Sequence, residues 1–88
     1  MPTPPSHVRA NVRAILAHLP PTLATTRQMG RLLGCDSSTA WRYAKGTVTP
    51  GWGVLQQLAR WVGVTPGSLL DTPVPVAALC ELRANGPT

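Results

Sequence analysis

Acidic side chains are nearly missing from this chain: its 88 residues hold three, Asp36, Asp71 and Glu81. They lie far apart in sequence, and the only histidines are His7 and His18. The pattern holds no paired-carboxylate site, no His-rich metal cluster and no phosphate-cradling glycine loop. A protein that is not an enzyme, with no metal and no cofactor, is expected. Two cysteines, Cys35 and Cys80, are too few for a disulfide framework and lack zinc-site spacing. Residues 1–6 carry no apolar signal core, and no apolar run approaches the ~18 residues of a membrane span. The reading is a cytoplasmic protein, of a bacterium or a phage-infected cell, with no membrane partner. Charge of any kind is scarce, 12% of residues, about half the usual share. It is also lopsided: 8 Lys and Arg give a formal net charge of +5, which favours an anionic partner.

What the chain has in quantity is helical punctuation, with ten prolines and eight glycines. A chain of this size forms one small domain that buries only about 60% of its extended surface, which argues against a large internal substrate cavity. Residues 1–5 read as a disordered arm. A helix capped by Ser6 follows, with Val8, Val12, Ile15, Leu16 and Leu19 at helical spacing, and Pro20-Pro21 ends it. Thr25 caps a second helix through Leu33, and Gly34 supplies the left-handed residue after it. Only Gly34-Cys35-Asp36 separate it from the next helix, residues 37–45, capped by Asp36 and closed by Gly46. Residues 47–51 form a loop around Pro50. A fourth helix ends at Val62, with Trp52, Leu55, Leu58, Ala59 and Val62 on one face. Thr65-Pro66 opens a short turn through Leu70, and a last helix is read over 76–84 on Val76, Leu79 and Cys80. No strand alternation is present. The expected fold is all-α, a small bundle of about five helices: a domain over 6–72 followed by a tail over 73–88.

Two short helices joined by a three-residue, glycine-containing turn form a helix-turn-helix signature. The run Thr25-Thr26-Arg27-Gln28-Met29-Gly30-Arg31-Leu32-Leu33-Gly34-Cys35-Asp36-Ser37-Ser38-Thr39-Ala40-Trp41-Arg42-Tyr43-Ala44-Lys45-Gly46 resembles the lambda-repressor/Cro-like (XRE) family of phage-type small regulators. The similarity extends through Pro50, Leu55-Gln56-Gln57-Leu58-Ala59, Val62-Gly63-Val64-Thr65 and Leu69, about half the chain. The resemblance implies a DNA-binding domain whose second helix enters the major groove. It also marks departures: Thr26 stands where the family often has a glutamine bracing a phosphate, and Gly30 replaces a customary alanine. Ala40 stands in place of a bulky aliphatic, a gap that Tyr43 can fill.

Helical geometry points to the groove-facing residues independently. At ~100° per residue, Ser37, Ser38, Trp41, Arg42 and Lys45 share one ~140° sector, and Thr39, Ala40, Tyr43 and Ala44 face the other way. Arg42 is read as a guanine reader, against the alternative of phosphate contact alone. Ser37 and Ser38 match positions that read bases in the family. Trp41 stays open between a thymine methyl, a neighbouring subunit and partial burial against the end of the first helix of the pair. Thr26 and Arg27, at the start of the backbone-crossing helix, are candidates for phosphate, as is Lys45. Thr47 and Thr49 join them through their family counterparts. Arg31 and Arg60 are weaker phosphate candidates, since a solvated helix face explains both, while Arg9, Arg13 and Arg83 receive no role. Thr25, Gly34, Asp36 and Gly46 are structural caps. Cys35 reads as a small buried hydrophobe, and neither thiol has the basic surroundings of a redox sensor.

The leading expectation is a sequence-specific, homodimeric repressor inserting helix 37–45 into a palindromic operator in double-stranded DNA. Its dimer seam is read on Leu69, Leu70, Val74, Val76 and Leu79, with Cys80 a further candidate contact. A phage CII-type activator, touching RNA polymerase, and an antitoxin with a toxin partner are the related alternatives. A protein-interaction module with a degenerate helix-turn-helix is the alternative of a different class.

Overall fold

The computed structural model describes residues 7–87, all-helical, with no strand among them. The arm read over 1–5 and the cap read at Ser6 lie outside the described residues. The order is α1 Val8–Ala17, a 3-10 turn Pro21–Leu23, α2 Thr26–Leu33, α3 Ser37–Lys45, α4 Trp52–Val62, α5 Pro66–Asp71 and α6 Val76–Asn85. The 3-10 turn was not foreseen. In it the Leu23 amide donates to the Pro20 carbonyl at 2.8 Å, closing a short turn between α1 and α2.

The first helix is the hub. α3, α4, α5 and α6 all pack on α1, and Val12, Ile15 and Leu16 are completely buried there with Leu58 of α4 and Leu69 of α5. Each such side chain contributes about 1.5–3 kcal/mol of gross burial free energy. The helix begins at Val8, the first residue of its apolar spacing, and ends at Ala17, short of Leu19, the last. His7 occupies the N-cap without a side-chain bond, and His18 closes the C-terminus with Nδ1 2.7 Å from the Ala14 carbonyl. That is the arrangement of an N–H donating to a last-turn acceptor.

One polar side chain sits inside this core. Asn11, 4% exposed, donates from Nδ2 to the carbonyls of Leu69 and Thr72, both at 2.8 Å. Its Oδ1 accepts from the Val74 amide at 2.9 Å. The last turn of α5 and the extended stretch after it leave these groups for the carboxamide of α1 to pair. No buried side-chain nitrogen or oxygen among the described residues is left unpaired.

Three readings of the apolar pattern are corrected. Trp52 does not join the buried face of α4: it is 56% exposed, while Trp61 is 7% exposed. The reason is α6, whose Ala78 and Leu82 lie across a cleft from Arg60, Trp61 and Val62 at the C-terminal end of α4, whereas Trp52 begins the helix at its other end. On α6 the buried pair is Leu79 and Leu82; Val76, 72% exposed, and Cys80 face out. Of the residues read as a dimer seam, Leu69, Val74 and Leu79 are buried within the chain's own core, leaving Leu70 and Val76 exposed. The tail read over 73–88 thus contributes Val74, Leu79 and Leu82 to the same core as the rest.

Candidate nucleic-acid interface

Local chemistry fixes the ends of α2 and α3. The Thr25 hydroxyl accepts from the Gln28 amide at 3.2 Å, and Asp36 Oδ1 accepts from the Thr39 amide at 2.9 Å. Each satisfies an otherwise orphaned donor in the first helical turn. Gly34 (φ 70°) and Gly46 (φ 73°) end the two helices in left-handed conformations that a side chain would strain. Between the helices the turn is tight. The amides of both Gly34 and Cys35 donate to the Gly30 carbonyl, and a Cβ on Gly30 would stand 2.6 Å from the Cys35 carbonyl oxygen. The glycine that weakens α2 by helix propensity is therefore what lets the turn close over it.

The two sides of α3 separate as its helical spacing predicts. Ala40 is completely buried, and Thr39, Tyr43 and Ala44 are half-buried. Ser37, Ser38, Trp41, Arg42 and Lys45 are exposed. Trp41, whose placement the sequence left open, is 51% exposed, so it is not a core residue. Its ring instead carries Lys45 Nζ 5.6 Å from the centroid, a cation–π contact between successive turns of the exposed side. Thr26 at the start of α2 joins Ser37, Ser38, Trp41 and Arg42 around an open concavity of ≈ 440 Å³. Arg27 is exposed beside Thr26.

The loop after α3 is more constrained than its sequence suggests. The Thr47 hydroxyl donates to the Arg42 carbonyl at 3.2 Å, capping the end of α3. Its proton reaches a phosphate only by giving up that bond. The Thr49 hydroxyl accepts from Arg9 Nε at 3.1 Å and keeps its own proton to donate. Arg9 and Arg13, left without a role by sequence, come to this place through α1. Gly46 lies against the Arg9 carbonyl and the Arg13 side chain, so two cations of α1 stand beside the helix end that carries Arg42 and Lys45. Their four-residue spacing on the flank of α1 was the available signal. What sequence lacked was the packing of α1 on α3.

Electrostatics near the turn are mild and local. Hydrogen bonding to Thr39, from the side chain first and the amide second, holds the Asp36 carboxyl below its ordinary pKa, with Arg42 adding a smaller pull. Burial pushes the Cys35 thiol up, and the nearby Asp36 charge pushes it further. Half-buried against the core, Cys35 is kept in its neutral, packing form. Among the described residues no three His, Cys, Asp or Glu side chains gather as metal ligands, and no helix is long and apolar enough to cross a membrane. Comparison with family models, with curated proteins and with solved structures gives no match to this chain.

Proposed function

We propose that the protein is a sequence-specific DNA-binding regulator in which α2, the turn at 34–36 and α3 act as a helix-turn-helix. The observation that carries the reading is the outward side of α3. Hydroxyls, a guanidinium, an ammonium and an indole are all exposed there, and no other part of the described chain covers them. In the docked state Arg42 forks to a guanine edge and Ser37 and Ser38 meet neighbouring bases. Thr26, Arg27 and the first amides of α2 hold a phosphate oxygen. Lys45, Thr49 and the adjoining Arg9 and Arg13 engage the backbone beyond the end of α3.

One such helix spans few base pairs, so the reading includes a two-fold dimer on a palindromic site with half-sites about 34 Å apart. Leu70 and Val76 are the exposed apolar residues available to the seam in this part of the fold. A dimer lying across a promoter occludes polymerase, and repression is the regulatory outcome we assign. Selection of duplexes from a random pool by the full chain tests the proposal: a two-fold symmetric consensus is expected, with affinity falling steeply between low and moderate salt. Indifference to every duplex would overturn it and favour the protein-interaction reading, which the half-exposed Trp41 keeps as the second candidate.

A further inference from the structure

An indole half out in water is out of place on a helix face otherwise built of hydroxyls and cations. Trp41 is not merely left over: Lys45 covers one of its ring faces, and its remaining surface forms part of the wall of the concavity shared with Thr26, Ser37, Ser38 and Arg42. That concavity has one apolar wall, one guanidinium and three hydroxyls, with no carboxylate among its lining residues. A complementary ligand therefore presents an apolar group next to a pair of hydrogen-bond acceptors. In the major groove the apolar group on a base edge is the C5 methyl, and the paired acceptors that match a guanidinium are O6 and N7 of guanine. Trp41 and Arg42 are consecutive residues lining the same concavity, which places their targets on neighbouring base pairs.

Resting on the DNA-binding reading above, we infer that this concavity takes a guanine next to a base carrying a C5 methyl group. Arg42 reads the guanine and the Trp41 indole packs on the methyl. The methyl itself is the recognised feature, not the identity of the pyrimidine. Thymine and 5-methylcytosine both present it to the indole, while uracil and cytosine do not. The site thereby distinguishes methylated from unmethylated cytosine beside guanine.

The test uses the duplex selected from a random pool by the full wild-type chain. That duplex is resynthesised with thymine, uracil, 5-methylcytosine or cytosine at the position beside the guanine, and titrated by fluorescence anisotropy at one fixed salt concentration. Replacing thymine by uracil is expected to weaken binding about fourfold, the equilibrium equivalent of about 0.8 kcal/mol for one buried methyl. Methylating the cytosine version strengthens it by a similar factor. Trp41→Ala, checked for an unchanged circular dichroism spectrum, binds the thymine and uracil duplexes alike. Equal wild-type affinity for those two duplexes overturns this inference and leaves the DNA-binding reading standing, as does a consensus with no methyl-bearing base beside a guanine. Failure of the selection to yield any preferred duplex overturns the DNA-binding reading, and this inference with it. The wild-type comparison decides whether the methyl is read; an unchanged thymine-to-uracil ratio in Trp41→Ala, or in Trp41→His should the alanine variant fail to fold, overturns the assignment to the indole.

Discussion

The α2–α3 pair and the bundle formed by α1, α4, α5 and α6 are held by different means. In the pair, three residues are buried, Met29, Gly30 and Ala40, and both helices are bounded by side-chain caps and left-handed glycines. In the bundle, completely buried Val12, Ile15, Leu16, Leu58 and Leu69 meet across long stretches of chain, and Asn11 ties α1 to residues 58 to 63 positions away. The pair is specified from within a few residues and presents its surface outward. The bundle is specified by contacts between distant segments and serves as the support on which the pair stands.

That contrast predicts where substitutions act. The largest effect is expected in the bundle: Asn11→Ala would orphan two carbonyls and an amide, lowering stability by about 3 kcal/mol in urea titration. A loss under about 1 kcal/mol would show that water replaces the carboxamide there. Next is Gly30→Ala, which gains about 0.8–1 kcal/mol of helix propensity yet forces the backbone of the turn to shift. A net loss of about 1–2 kcal/mol is expected from such overpacking, and a stabilised variant would mean that the pair tolerates a looser turn. Thr25→Ala removes one cap, for about 1 kcal/mol measured as a fall in denaturation midpoint. Acid acts more weakly still. Because Asp36 has a depressed pKa when folded, its contribution is complete above about pH 4 and is lost as pH falls through the folded value. Asp36→Asn, itself a capping residue, should flatten that part of the stability–pH curve. The smallest change in stability belongs to Arg42→Ala, within about 0.5 kcal/mol, although discrimination at one base pair should drop by about 1–3 kcal/mol. Loss of folding in that variant would mean that Arg42 belongs to the support.

The same contrast explains what the sequence disclosed. Thr25, Asp36 and Thr65 were legible as caps because a cap bonds to an amide three residues on, and Thr65 does so to Ser68 at 3.3 Å. The division of α3 into inner and outer sides was legible because one helical period decides it. Trp52 and Trp61 were not, since their environments depend on where α6 lands, and α6 has apolar residues all round and no face that announces its partner. Asn11 is one polar residue next to Val12 of the apolar stripe, and nothing in its local sequence marks it. Its role depends on an extended segment some sixty positions away, which no local pattern encodes. Arg9 and Thr49 met for the same reason, through tertiary packing of α1. Gly30 showed its propensity cost in sequence, whereas the backbone approach that requires it emerged only in three dimensions.

The Asn11 carboxamide also orders events in time. A ribosome releases α1 first, but the backbone groups that pair with that carboxamide are not complete until Val74 has left the exit tunnel. Until then the emerging amphipathic segment has no finished seat, and premature termination before residue 74 would strand it. Closure of this bundle is thus a late step relative to the making of α1, which is fastened only once the stretch through Val74 is free to meet it.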